Sequence, residues 1–298
     1  MRVLVIKLGA LGDFVLAFGP FAAIRAAHPG AEIGLLTTAP FAPLAQASPW
    51  FDTIHIDRRP AWWHLRSLRL LRRQLAGWDF IYDLQTSARS TRYFWLAGRP
   101  PWSGIARCAS HRHTTATRNH MHTIDRQRDQ LRLAGIPSIP PDLTWLTPGG
   151  PHLPGPYALL VPGAAPHRPE KRWPPAHFAA IAQTLLARGL RPVVIGTAAE
   201  RPLAQAIRAA WPSALDLTGQ TSLLDLGGLA ARATLAIGND TGPMHLAASV
   251  GCPSIVLFSA ASDPALTAPR GPHVQILRVP NLADLPPERV AAALPPAP

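Results

Sequence analysis

Cysteine is almost missing from this chain: 298 residues contain two, Cys108 and Cys252. A pair so placed offers neither a disulfide framework nor metal-ligand spacing, which fits a reducing cytoplasm. Lysine is equally scarce, with only Lys7 and Lys171 beside 27 arginines, a bias that reads as GC-rich coding more than as function. No run approaches 18 consecutive apolar residues, so no membrane span is expected. The chain opens directly on an apolar strand, which leaves no room for a signal peptide. Helix-turn-helix, zinc-finger and RNP patterns are all lacking, and with them the case for a nucleic-acid partner.

Charge is present but lopsided. The net of +12 divides into +9 over residues 1–150, from 18 basic and 9 acidic side chains, and +3 over residues 151–298, from 11 and 8. A basic first half implies an acidic partner, and with nucleic acid set aside an anionic membrane surface or a phosphorylated glycolipid is preferred. With 47% apolar and 15% charged residues the balance is globular, and the length allows two domains, each with its own core.

Apolar runs alternate with helical patterns. Strands are expected at 3–6, 32–36, 53–56 and 80–84, then at 157–161, 192–195, 235–237, 254–258 and 274–277. Helices are expected at 14–28, 62–75, 177–188, 199–211, 223–232 and 244–250. Such alternation means βαβ units and parallel sheets. The stretch 147–156, with four prolines and three glycines, breaks every periodic pattern and reads as a linker. The expected fold class is α/β: two doubly wound Rossmann-like domains, 1–148 and 156–298, facing each other across a cleft. Ligands in such folds sit at the carboxyl ends of the strands.

Two Gly-rich turns fall at those ends. The first, Lys7-Leu8-Gly9-Ala10-Leu11-Gly12-Asp13, follows the opening strand and is neither a dinucleotide fingerprint nor a Walker loop. Asp13 at its mouth reads either as a helix cap or as a base facing the cleft. The second turn, Gly238-Asn239-Asp240-Thr241-Gly242-Pro243-Met244-His245, leads from a strand into a helix. Unpaired N–H groups and the helix dipole there favour phosphate, while Asp240 suits N–H groups or sugar hydroxyls.

With these turns in place, together with Val161-Pro162-Gly163, Glu170-Lys171-Arg172-Trp173-Pro174 and the stretch from Gly196 to Glu200, the chain resembles glycosyltransferase family 9, the lipopolysaccharide heptosyltransferases, over nearly its whole length. The first turn carries Leu8-Gly9-Ala10 where the family usually has Ser or Thr. The resemblance implies the GT-B fold, with an acceptor-binding first domain and a nucleotide-sugar-binding second. By the same resemblance Asp13 is the catalytic base and Lys171 contacts the donor diphosphate. Asp240, Thr241, Gly242 and His245 bind the donor sugar and phosphates, and Glu200 holds the ribose. Gly9, Gly12 and Gly163 shape the phosphate-facing turns, and Lys7 joins the acceptor side. The implied donor is ADP-heptose, and the implied acceptor an anionic, lipid-linked glycan at the cytoplasmic face of the inner membrane. No cofactor or metal is implied, and the chain has no Asp-x-Asp triplet of the kind that holds a divalent ion in metal-dependent transferases. One base opposite the leaving group implies a single displacement with inversion.

Other features stay open between two readings. Lys171 is either a phosphate contact or a solvated surface lysine, and His245 either a ligand group or a buried structural histidine. Trp173 reads as a packing residue rather than an adenine stacker. Arg66, Arg69 and Arg73 share a helix face by i, i+3, i+7 spacing, which suits an acceptor or membrane contact, with Trp62 and Trp63 at the interface or in the core. His111, Arg112, His113, Arg118, His120 and His122 show no metal spacing and read as a basic loop. Two other functions share the architecture. A nucleotide-sugar 2-epimerase needs further cleft carboxylates, of which the first half offers few beside Asp13, and a non-catalytic nucleotide-sugar-binding protein has no need of Asp13 and Lys171 together.

Overall fold

A computed structural model describes residues 1–296, and the chain divides into two compact units, Met1–Trp145 and Leu146–Pro298. Each is built on a six-stranded sheet whose pairs are all parallel. In the first unit the strands are β1 (Arg2–Ile6), β2 (Glu32–Thr37), β3 (Thr53–Ile56), β4 (Phe80–Asp83), β5 (Trp102–Gly104) and β6 (His111–Arg112), in the order β3-β2-β1-β4-β5-β6. The second holds β7 (Tyr157–Val161), β8 (Arg191–Val194), β9 (Leu215–Asp216), β10 (Leu235–Asn239), β11 (Ser254–Phe258) and β12 (Val274–Arg278), in the order β12-β11-β10-β7-β8-β9. Both are doubly wound Rossmann-like sheets.

The central strands read as unbroken apolar runs because helices cover both sheet faces. Val3, Leu4, Val5 and Ile6 are fully buried, as are Ala158, Leu159 and Leu160. The direction of winding reverses between β1 and β4 in the first unit and between β7 and β10 in the second. At such a reversal the loops leaving two neighbouring strands diverge and open a crevice. The loops after β1 and β4, and those after β7 and β10, are therefore the places where each sheet can hold a ligand.

Local structure adds to the sequence reading in several places. The apolar stretch 14–28 forms two helices, Leu11–Val15 and Phe18–Ala27, broken at Leu16–Ala17. The expected linker is not free over its first half. Arg232 donates to the carbonyls of Thr147 (3.1 Å), Gly149 (2.8 Å), Gly150 (3.2 Å) and Pro151 (3.2 Å), and Gly150 N–H reaches Asp225 Oδ1 at 3.0 Å. Gly149 and Gly228 permit this, since a Cβ on Gly228 would strike Gly149 backbone. The basic segment at 111–122 is ordered by an acidic anchor: His113 Nε2 lies 3.0 Å and Thr115 Oγ1 2.7 Å from Asp129, while His122 accepts from Ile124 N and caps the helix Thr123–Leu133.

Candidate functional site

In the second unit, the sequence motifs converge on the β7/β10 reversal. Asn239, the last residue of β10, is fully buried and stitches three segments together. Its amide nitrogen donates to Pro162 O (2.8 Å) and Gly163 O (3.2 Å), and its Oδ1 accepts from Trp173 N (3.0 Å). This fixes the turn after β10 against the turn after β7 and the Lys171 turn. Trp173 is 1% exposed and donates its indole N–H to Leu285 O, so it is a core residue, as read from the sequence.

The next residue, Asp240, is the hub. Its Oδ2 accepts from Lys171 Nζ at 2.6 Å and from Ser262 Oγ at 2.7 Å. His245 Nε2 stands 3.8 Å from Oδ1, beyond hydrogen-bond length, and its Nδ1 is buried without a partner among the described residues. Burial works against ionisation of Asp240, but His245, Lys171 and Ser262 outweigh it and hold the carboxyl down at about 2. The Asp240 side chain is 7% exposed and that of Lys171 is 18%. Ser262 lies on the loop after β11 and escaped the sequence reading, because no motif marks a lone serine there.

The helix Gly242–Ser249 follows, with Thr241 at its N-cap position. Pro243 occupies the first turn and brings no N–H, and Met244 N–H is taken by Thr241 O at 3.1 Å. Within the helix's first turn Gly242 therefore carries the N–H without a partner among the described residues, so the turn presents fewer donors than a helix N-terminus normally does. Glu200 closes a capping box, with Oε2 accepting from Thr197 N (2.7 Å) and Thr197 Oγ1 (3.1 Å). Its carboxylate lies against bare backbone: a Cβ on Gly163 would collide with it, and one on Gly196 would come within 2.7 Å of Oε2.

In the first unit, Gly9 has φ +112°, and a Cβ there would run into the Phe41 ring. Gly12 and Asp13 are the second and third residues of the helix Leu11–Val15, whose N-cap is Ala10. Asp13 is thus not the cap, is half-buried, and makes no side-chain hydrogen bond among the described residues. Lys7 is 3% exposed, and its ammonium donates to Leu84 O at 3.2 Å. Gln127, with its amide turned to satisfy both neighbours, accepts from Lys7 Nζ and donates to Leu16 O, each at 3.3 Å. Burial holds the Lys7 ammonium below its usual range, a lowering that Asp13 and Asp83 offset only in part and that Arg126 adds to. Leu8 N–H bonds Gln85 Oε1 at 2.8 Å, tying the turn after β1 to the loop after β4.

Sequence reading missed two buried carboxylates here. Asp83 is fully buried, its Oδ1 accepts from Gln85 N and Thr86 N, and burial pushes it up to about 6. Asp57 accepts from Tyr93 OH at 2.6 Å and from Arg59 N at 2.7 Å, and Arg59 in turn donates to Leu8 O at 2.9 Å. The signal was present, since Asp83 ends β4 and Asp57 directly follows β3, but an aspartate at such a place also reads as a turn. Arg66, Arg69 and Arg73 are not joined to this group. They lie exposed on the helix Leu65–Leu75, whose buried side is Leu71 and Leu75. Trp63 is 80% exposed, whereas Trp62 packs between Arg89, Arg92 and Tyr93. Among the described residues no cluster of His, Cys, Asp or Glu has the arrangement to hold a metal ion, and no helix is long and apolar enough to cross a membrane.

Two Rossmann-like domains of this kind make a GT-B fold. The structure matches that of the E. coli heptosyltransferase WaaC with ADP at a TM-score of 0.83 and 21% identity, covering 98% of each chain. The sequence profile of glycosyltransferase family 9 (heptosyltransferase) matches residues 140–293, and the chain belongs to that family. Lipooligosaccharide heptosyltransferase 2 of Haemophilus influenzae is 37% identical over 129 residues, a match spanning 42% of this chain but only 37% of that protein. Lipopolysaccharide heptosyltransferase 1 of Pseudomonas aeruginosa is 27% identical over 300 residues, spanning 91% of this chain and 82% of that protein.

Proposed function

We propose that this chain is an inverting, metal-independent glycosyltransferase that moves a heptose from ADP-heptose onto a lipopolysaccharide-core or related anionic glycan. The observation that carries this reading is the Lys171–Asp240 pair at the β7/β10 reversal, beside the start of the helix Gly242–Ser249. A cation and a half-open helix start suit a leaving diphosphate, and a buried ionised carboxylate suits sugar hydroxyls. In this reading the second unit binds the donor through Lys171, Glu200, Asp240, Thr241, Gly242 and His245, with Gly163 shaping a phosphate-facing turn. The first unit binds the acceptor, and Asp13 takes the proton of its hydroxyl. The new C1–O bond forms as the bond to the diphosphate breaks, so the anomeric configuration inverts. Asp57 is tied up by Tyr93 and Arg59, and Asp83 is buried with its Oδ1 hydrogen-bonded, so neither carboxylate stands out beside Asp13 as the further acid and base of an epimerase.

The test is transfer from ADP-heptose to a heptose-deficient glycolipid in EDTA, with UDP- and GDP-sugars as comparison donors. Turnover that persists in EDTA and gives a product of inverted anomer is expected. Activity abolished by EDTA and restored by Mg²⁺ or Mn²⁺ would sink the metal-independent mechanism, and absence of transfer with any donor would sink the activity.

The basic first half is the proposed contact with the acceptor and with the cytoplasmic face of the inner membrane. From Arg58 to Trp78 the chain holds no acidic residue, and the helix there exposes Arg66, Arg69 and Arg73 next to Leu65 and Leu70. Replacing the three arginines with Ala is expected to raise acceptor KM several-fold and to leave donor KM unchanged. Added salt should mimic the triple variant, since screening acts over about 8 Å at physiological ionic strength. An acceptor KM flat to both mutation and salt leaves the stripe as a solvated helix face.

A further inference from the structure

Asp240 has two strong donors on a single oxygen, and the two differ in freedom. Lys171 sits on a short 3-10 turn at the end of a four-carbon stem, with its side chain 18% exposed. It can turn toward a phosphate by rotating its own side chain. Asp240, at 7% exposure and next to the pinned Asn239, cannot follow it. When the ammonium leaves, the carboxylate would lose its main counter-charge inside the protein, which is costly unless other donors remain.

Ser262 is built to remain. Its hydroxyl donates to Asp240 Oδ2, and the loop that carries it is held on both sides. Ala260 N–H bonds Pro280 O at 3.0 Å, and Ala261 O accepts from Arg168 at 2.6 Å. On the far side Asp263 caps the helix Pro264–Thr267 through Ala265 N–H. A serine hydroxyl on so fixed a backbone keeps its aim whether or not Lys171 is in place. It also keeps a donor on Oδ2, so that Oδ1, which among the described residues has only His245 near it at 3.8 Å, is the oxygen more open to a ligand hydroxyl.

We infer that Ser262 is a positioning residue of the sugar-nucleotide site, holding Asp240 ionised and correctly turned while Lys171 exchanges the carboxylate for the donor's diphosphate. This rests on the donor reading given above, but its first test does not need a ligand. With the carboxyl carbon of Asp240 followed by NMR, Asp240 in Lys171→Ala should still titrate below the usual carboxylate range. In Lys171→Ala/Ser262→Ala it should rise into or above that range. Equal titration in the two variants overturns the inference whatever the protein binds.

The second test uses ADP-heptose and ADP in calorimetry. Ser262→Ala should weaken ADP-heptose binding about tenfold, the size of one hydrogen bond to a charged group. The acid limb of its affinity should move to higher pH, while ADP alone changes less than twofold. Ser262→Thr, which keeps the hydroxyl, should restore both. Equal weakening of ADP and ADP-heptose, or no rescue by threonine, marks a loop distortion and overturns the inference. If the unmodified chain fails to bind ADP-heptose, the donor reading falls, and the titration of Asp240 still decides the role of Ser262.

Discussion

Asp13→Asn is expected to lower turnover by about 10²-fold or more while leaving donor affinity and melting temperature nearly unchanged. The amide keeps the size of the carboxylate but cannot take the acceptor's proton, and general-base assistance is worth about 10²–10⁴-fold. The structure sharpens this prediction. Ala10 is the N-cap of the helix Leu11–Val15, and Asp13 makes no capping bond among the described residues, so even Asp13→Ala forfeits no cap. What either variant loses structurally is the favourable placement of a negative charge in the first helical turn, about 0.3–1 kcal/mol. A large fall in turnover with a small fall in stability is thus the signature of the base. Full activity in Asp13→Asn ends that assignment.

Lys171→Ala is expected to lower donor affinity by about 10²-fold, the worth of a well-placed charged contact near the upper end of its range. It should also cost stability, because it strips a counter-charge from a carboxylate that is 7% exposed. Breaking a fully buried pair costs about 3–5 kcal/mol, and the remaining Ser262 bond should keep this case toward about 2–3 kcal/mol. The pH dependence has a definite sign. Asp240 is held at about 2 in the folded chain, against about 3.9 for an unfolded aspartate. The stability it contributes is therefore present above about pH 4 and is lost as pH falls through about 2. Without Lys171 the carboxyl titrates higher, and acid unfolding should begin at a higher pH. Adding Asp240→Asn to Lys171→Ala removes the orphaned charge, so the double variant should regain stability without regaining donor binding. Acid-melting curves and calorimetry on the three variants separate the two effects. A double variant that recovered binding would show the pair to be structural only.

The central strands were legible because burial on both faces makes them continuous apolar runs, as in Val3–Ile6 and Tyr157–Val161. The shortest strands were not: β5, β6 and β9 run to three, two and two residues, too short for any period to show. The helix Thr123–Leu133 was hidden for a different reason. Its buried side includes Gln127 and Gln130, which serve Lys7 and the backbone of Asp83 and Ser103 rather than an apolar core. Amphipathic periodicity cannot reveal a helix whose inward face is polar. At the candidate site, Lys171, Asp240 and His245 were recognisable in their motifs, whereas Ser262, Asp83 and Asp57 act through tertiary contacts that leave no local pattern. The reading of Arg66, Arg69 and Arg73 as one face held in geometry, since all three are exposed on one helix. Their placement beside an acceptor belongs to the proposal.

The three-way stitch made by Asn239 bears on the thermodynamics of recognition. Lys171 lies two residues before Trp173, and Asp240 directly follows Asn239, so one buried amide sets the spacing of both charged groups at the main-chain level. A ligand arriving there is expected to find the turns that carry Lys171 and Asp240 already spaced. The entropy it must overcome is that of a few side-chain torsions, about 0.5–1.5 kcal/mol for each rotamer-rich side chain immobilised, instead of the larger toll of folding a disordered segment around it. On the donor reading proposed above, selectivity at this end of the chain is expected to follow the fit of the donor to turns whose spacing Asn239 sets.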